Sequence, residues 1–360
     1  EMPIVSIKYM LSRLWFIVGF YFLGTQLFKN YKNIKRFIWL YTLPLLGVII
    51  YTLIRHAYYG FSQESSTWVM EPFYKNHGVY AVAIAMLFPL MIIYMIKANR
   101  FRNNLLQNAM IVITNIIFLV GMIFSYTRAA WLSLAVAVMA LFVFQFKVQL
   151  RSILLVVSVI AGIGLYNFHE LDMALNRNVQ DSSTDFQEHV KSISNVSTNA
   201  SNMERLNRWN CAIRMFLERP IVGWGPGTYM FQYGQFQKPS ELTIISTNAG
   251  IRGNAHSEYL GPLAESGFLG FFTYFLLILI VIDRGMKLYY TLEDKELKYL
   301  ILGILLGFIT YVVHGVLNNY LDMDKAAVPF WAFIAIITSI DIYHNKTKQI
   351  SDSSEQLRHQ

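Results

Sequence analysis

Long apolar blocks separated by short loops constrain this chain more than any other feature. Nine blocks can be read, at about 9–27, 37–54, 78–96, 105–125, 129–146, 152–167, 262–282, 299–318 and 327–343. Several approach the roughly 20 residues that a helix needs to cross a bilayer. Hydrophobic residues make up 55% of the 360 and charged residues only 14%, against about a quarter charged in an average soluble domain. The expectation is an all-α polytopic membrane protein.

The loops between the blocks set its orientation. Lys29–Arg36, Lys97–Arg102, Lys147–Arg151, Arg284–Lys298 and the tail after Tyr343 carry 16 of the 30 Lys and Arg residues. The alternate loops are nearly free of them: one in Ser125–Arg128, one in 319–326 and two in 55–77. The positive-inside rule makes the basic set cytoplasmic. Segment 168–261 then faces the other side, and so does residue 1. The chain opens on Glu1 with no signal peptide. An odd number of further spans before it would restore a cytoplasmic start, so the true N-terminus is expected upstream.

This reading divides the chain into transmembrane helices over 1–167, a large loop domain over 168–261, further transmembrane helices over 262–343 and a cytoplasmic tail, 344–360. Within the loop, Asn176–Asn202 is polar. Ser201-Asn-Met-Glu204 then has the pattern of a capping box, and a helix over about 202–219 should stop at Pro220. Leu206, Trp209, Ile213, Phe216 and Leu217 recur at helical spacing. They predict an apolar face that lies on the membrane or packs against the bundle. Arg205 and Arg208 share a neighbouring face.

Several classes are disfavoured. The formal charge of +8 sits in short loops, which is not a nucleic-acid signature. The single Cys211 excludes an intramolecular disulfide, and no metal-ligand spacing appears. The spans hold almost no interior carboxylate: Glu265 and Asp341 lie near span ends, and His314 is the one titratable group well inside a span. An ion-coupled transporter usually keeps such groups at mid-membrane. His314 can equally be a neutral imidazole bonded to a neighbouring helix.

Three places could carry chemistry. His256 can accept a proton from a hydroxyl near neutral pH, and Asn254 before it reads as a helix N-cap whose dipole would keep the imidazole neutral. Arg128 sits in a turn so short that its guanidinium is held at the membrane face. Arg205 and Arg208 lie on the same side. Each alone has a plain reading: a core histidine, an arginine snorkelling to headgroups, a solvated helix face. Together they place a base and several guanidinium groups, suited to bidentate phosphate contact, on one side of a membrane. Gly223-x-Gly225-x-Gly227 lacks the strand and lysine of a nucleotide loop and reads as a tight turn.

At these residues the sequence resembles the bacterial O-antigen ligase and O-antigen polymerase superfamily, which includes protein O-oligosaccharyltransferases. Arg128-Ala-Ala-Trp-Leu132 matches the ligase pattern of an arginine followed by leucine. Glu204-Arg205 through Arg219-Pro-Ile-Val-Gly-Trp-Gly-Pro-Gly-Thr-Tyr229 looks like the family's loop core. His256-Ser257, nine residues, then Gly267-x-x-Gly270 matches its histidine pattern.

The resemblance implies a GT-C-like membrane fold of about twelve spans with a periplasmic loop, set in the bacterial inner membrane. It also implies transfer of a glycan from an undecaprenyl diphosphate donor to an acceptor hydroxyl, such as that of a lipid A core, without metal or cofactor. Arg128 and Arg205 would hold the donor diphosphate and His256 would serve the acceptor. Arg208, Tyr229 and Ser257 are further substrate-binding candidates. Ligation is favoured over polymerisation or protein glycosylation. A lipid-linked sugar flippase is the alternative of another class.

Overall fold

The computed structural model describes residues 2–101, 103–149, scattered positions between 151 and 162, 200–243, 246–247 and 253–345. Among them every regular element is helical and no strand is present. Eight helices are long and apolar enough to cross a membrane: α1 (Pro3–Leu27), α2 (Tyr31–Tyr58), α3 (His77–Ile96), α4 (Leu105–Ile123), α5 (Arg128–Gln145), α7 (Leu260–Thr291), α8 (Lys295–Leu317) and α9 (Asp324–His344). Between them, α6 (Ala200–Glu218) is an amphipathic helix. The protein is an all-α polytopic membrane protein. The eight helices coincide with eight of the nine expected spans. The remaining span, 152–167, lies mostly outside the described residues, as do most of the polar stretch 176–202 and the tail from 346.

Local chemistry sets the helix edges. Asn30, Asn76 and Asn104 each accept a backbone N–H at the start of α2, α3 and α4, and Asn104 with Gln107 forms a reciprocal capping box. α2 starts six residues before the expected 37. Asn30 caps it, and its first turns are tied to α8: Lys35 pairs with Glu296, and the Tyr31 hydroxyl donates to Glu296 Oε1 at 2.9 Å.

The chain forms two compact units that are not consecutive segments. The larger comprises Ser12–Phe144, Leu277–His314 and Tyr320–Gln360. Helix α3 is its buried centre, packed against α4 and α9, with α2 against α4. Helices α3 and α8 approach through Gly303 and Gly307, a small-x-x-x-small pair that lets two helix backbones touch. A Cβ at Gly307 would lie 2.0 Å from the Met86 carbonyl oxygen, and one at Gly303 would lie 2.9 Å from the Leu90 Cα. One turn on, the Thr310 hydroxyl donates to Ala85 O at 3.1 Å. His314, also on α8, is buried with its ring 5.6 Å from that of Tyr320.

The smaller unit comprises Glu1–Leu11, Gln145–Leu276 and Gly315–Asn319. Its core gathers Cys211, Ala212, Met215, Trp224, Tyr229, Tyr233, Ala255 and Ala264. The Trp224 Nε1–H donates to Met215 O at 3.0 Å and fixes the turn after α6 against that helix.

The α3–α8 contact yields a stability prediction. Gly307→Leu should cost at least the roughly 1–3 kcal/mol of an overpacked core, because the atom in the way is backbone. Gly47→Leu in α2, where a Cβ meets nothing within 4 Å, should be near neutral. Thermal unfolding of the two variants in detergent compares them directly.

Candidate functional site

Helix α6 buries a face that is polar at its start and apolar further on. Glu204, Asn207 and Arg208 are inside with Cys211, Ala212 and Met215, while Ile213 is 40% and Leu217 69% exposed. The apolar face expected from Leu206, Trp209, Ile213, Phe216 and Leu217 exists, but it does not build the core of the unit. Burying Glu204 and Arg208 requires that each be paired, and both are. Arg208 Nε donates to Glu204 Oε1 at 2.6 Å, and Thr243 Oγ1 and Ser246 Oγ donate to Glu204 Oε2. Burial alone would raise the Glu204 pKa, but these hydrogen bonds and Arg208 outweigh it and hold it below the usual value.

The rest of the Arg208 guanidinium is closely held. It stacks 3.9 Å from the centre of the Tyr233 ring, and Nη2 donates to Thr247 Oγ1 at 3.2 Å. A Cβ at position 253 would fall 1.7 Å from Nη1, so the segment before His256 lies directly against this arginine and a larger residue there would displace the guanidinium. Tyr229 stacks on Tyr233 at 5.4 Å and donates its hydroxyl to Arg208 O at 2.7 Å. Burial pushes the Tyr229 hydroxyl well above its ordinary pKa.

His256 sits in a left-handed turn, with φ of +47°. Side chains rarely adopt this conformation, and it clusters at functional sites. Asn254 Oδ1 accepts the His256 N–H at 3.1 Å and holds the turn. The expected cap at Asn254 is therefore displaced. Ser257, buried, accepts the N–H groups of Tyr259 and Leu260 and is the residue that caps α7. Trp209 Nε1–H reaches His256 O at 3.4 Å, tying α6 to this turn. Burial, then Arg205, then Arg208 push the His256 pKa down to about 4, with Glu204 partly opposing them. The imidazole is neutral at pH 7, as expected, but burial and two arginines cause this rather than a helix dipole.

A second carboxylate organises the unit. Glu265 accepts the N–H of Gly227 at 2.8 Å and of Tyr229 at 2.9 Å. Gly225 N–H donates to Glu265 O and Trp224 N–H to Ala264 O. The glycine turn 223–227 thus cradles an anion from its own chain, consistent with a structural turn. Helix α7 breaks at Gly267 (φ +65°, ψ −160°), and the freed N–H of Phe268 donates to Pro220 O at 2.8 Å. Glu265 reads in the sequence only as a carboxylate near a span end, and Glu204 reads as a capping-box residue, whereas in the structure it pairs with Arg208 inside the unit.

Arg128 belongs to the larger unit. It is half-buried at the first position of α5. Its turn is anchored by Tyr126 OH to Phe61 O at 2.9 Å and by Thr127 Oγ1 to His77 O at 3.3 Å. The structure therefore brings Arg205, Arg208, Tyr229, His256 and Ser257 into one unit. Within it, the polar atoms of Tyr229 and Ser257 serve the protein's own backbone. Among the described residues no three His, Cys, Asp or Glu side chains group as a metal site requires.

Two predictions follow from this geometry. In nitrogen-15 histidine spectra, the resonance lost in His256→Gln should titrate near pH 4, and Arg205→Ala should move its midpoint upward toward 6.5. The unfolded chain takes the proton first as pH falls, so the stability held by the neutral imidazole is intact above pH 6.5. It is lost as pH drops toward 4. Gly223→Ala places a Cβ 2.4 Å from the Glu265 carbonyl carbon at a φ of +65°, and should open the turn to limited proteolysis. Gly261→Ala, with open space at its Cβ, should not.

Comparison with known proteins agrees with the resemblance seen in the sequence. Residues 113–275 match the family model described as O-antigen ligase, a little under half of the chain. The matched stretch contains Arg128, Arg205 and His256. No curated protein matches the chain.

Proposed function

We propose that this protein is a lipid-linked glycan transferase of the O-antigen ligase type, working at the periplasmic face of the bacterial inner membrane. The observation that carries the reading is a half-buried His256 whose basicity is lowered under the field of Arg205 and Arg208, inside the stretch that matches the O-antigen ligase model.

Arg205 binds the diphosphate of an undecaprenyl-linked donor, and donor binding is also the role that the resemblance gives Arg128. Arg208, already paired with Glu204, adds its field and supports the segment before His256. An acceptor hydroxyl, as on a lipid A core, attacks the anomeric carbon. The bond from that carbon to the phosphate oxygen breaks, and undecaprenyl diphosphate leaves with the electron pair. His256 takes the hydroxyl proton and passes it to water. The arginines neutralise the charge gathering on the leaving group.

The depressed basicity of His256 fits this order of events. A pKa near 4 makes the resting imidazole a weak base. A bound diphosphate offsets the arginine charges that lower it, because an opposite charge nearby favours the protonated form. Base strength therefore rises when the donor is in place.

The test is a strain deleted for the gene, analysed by lipopolysaccharide gel and by lipid-linked glycan extraction. Long polymer on undecaprenyl diphosphate with bare lipid A core is expected. Complementation with His256→Ala should lower transfer by about 10²–10⁴-fold, the contribution of a general base. Single repeats on the core would reassign the protein as a polymerase, and donor trapped in the inner leaflet would reassign it as a flippase. Unchanged patterns in both assays overturn the proposal.

A further inference from the structure

We propose that the outward face of α6 and the turn after it are embedded in the headgroup–acyl boundary of the bilayer, so that this part of the loop rests on lipid. The proposal does not depend on the catalytic reading, since it concerns only which solvent meets this surface.

Helix α6 carries apolar residues on two sides: Cys211, Ala212 and Met215 enter the core of the unit, and a second apolar strip is left outside it. Glu204, Asn207 and Arg208 point inward, whereas Ile213 and Leu217 point outward and the following Ile221 and Val222 are 68% and 69% exposed. Large apolar side chains grouped this way mark an interaction surface.

Its continuation identifies the partner. A Cβ at Gly267 would lie 2.4 Å from Ile221 O, and Phe268 N–H donates to Pro220 O. The backbone carrying Ile221 and Val222 is thus seated on α7 where that helix restarts after its break. There Phe268, Leu269 and Phe272 are 53%, 58% and 48% exposed, with Phe268 and Phe272 stacked at 5.7 Å. On a helix that crosses the membrane, an exposed aromatic face is a lipid face. The α6 patch runs directly into it.

The border has the chemistry of a membrane interface. Arg219 stacks over Trp224 at 3.9 Å, and Glu218, on the flank of Leu217, is exposed. Aromatic and cationic groups at headgroup level, with aliphatic groups below, describe a helix lying in the interface plane. Arg205 is on the same helix, so the depth of this patch fixes the depth of that guanidinium.

Spin labels at Leu217→Cys, Ile221→Cys and Val222→Cys test this, in a Cys211→Ser background reconstituted in phosphatidylethanolamine–phosphatidylglycerol vesicles. Power saturation with oxygen and with a water-soluble nickel chelate reads the depth. Glu218→Cys serves as the water reference and Phe272→Cys as the lipid reference. All five labelled positions are exposed, so none disturbs the core. Oxygen access high and nickel access low at 217, 221 and 222, at depths between the two references, is expected. Nickel access equal to that at 218 would place the patch in water. Protection from both reagents would mean that protein covers it. Either result overturns the proposal.

Discussion

The smaller unit depends on one carboxylate. Glu265 accepts the backbone N–H groups of Gly227 and Tyr229 through its side chain, and the carbonyls of Ala264 and of Glu265 itself accept those of Trp224 and Gly225. A charged acceptor with two amide donors forms some of the stronger hydrogen bonds available to a protein. It satisfies amides that a tight glycine turn would otherwise leave unpaired. The break of α7 at Gly267 belongs to the same arrangement. A continuous helix would use its own Phe268 N–H, whereas the broken one gives it to Pro220. The turn after α6 and the start of the crossing segment are therefore one structural element, and Gly223 and Gly267 are required because their backbones touch the partner segment.

From this element the order passes inward to the candidate site. Tyr229, held by Glu265 through its N–H, gives its hydroxyl to the carbonyl of Arg208, and Tyr233 carries the Arg208 guanidinium on its ring. Arg208 in turn packs against Gly253, at the head of the segment that turns at His256. A buried ion pair is weak evidence of stability, because desolvation offsets its attraction. The Glu204–Arg208 pair is better understood as fixing geometry. It sets one positive charge at a defined place, and with Arg205 on the same helix it leaves a net positive field on a half-buried imidazole.

The sequence made the membrane architecture legible because apolar block length and loop charge are one-dimensional signals. Eight spans were found where expected, with edges shifted where a cap or an ion pair intervened, as at Asn30 and Lys35. His256, Arg205 and Arg208 are legible as groups on one side of the membrane, but not as members of one packed unit. Orientation of side chains is not legible either. Helical spacing in α6 identified an apolar face but could not say that a different face would be the buried one. That outcome depends on partners 39 to 42 residues away, such as Thr243, Ser246 and Thr247. Asn254 and Ser257 are both of residue types that cap helices, and only the left-handed φ of His256 separates their roles. Gly303 and Gly307 carried a readable spacing, but their contact with α3 requires the fold.

The outward apolar strip of α6 and the break in α7 have a common physical origin. A transmembrane segment must satisfy its backbone internally, so an irregular turn is tolerated only where protein or water can supply partners. Here Pro220 supplies one, and it comes from the end of the helix that also presents Ile213 and Leu217 outward. The inner face of α6 is free to enclose a buried ion pair because the outer apolar strip has another place to go. The membrane surface, by accepting Ile213, Leu217, Ile221 and Val222, leaves the other side of α6 to build a core in which the Glu204–Arg208 pair lies beside Cys211, Ala212 and Met215.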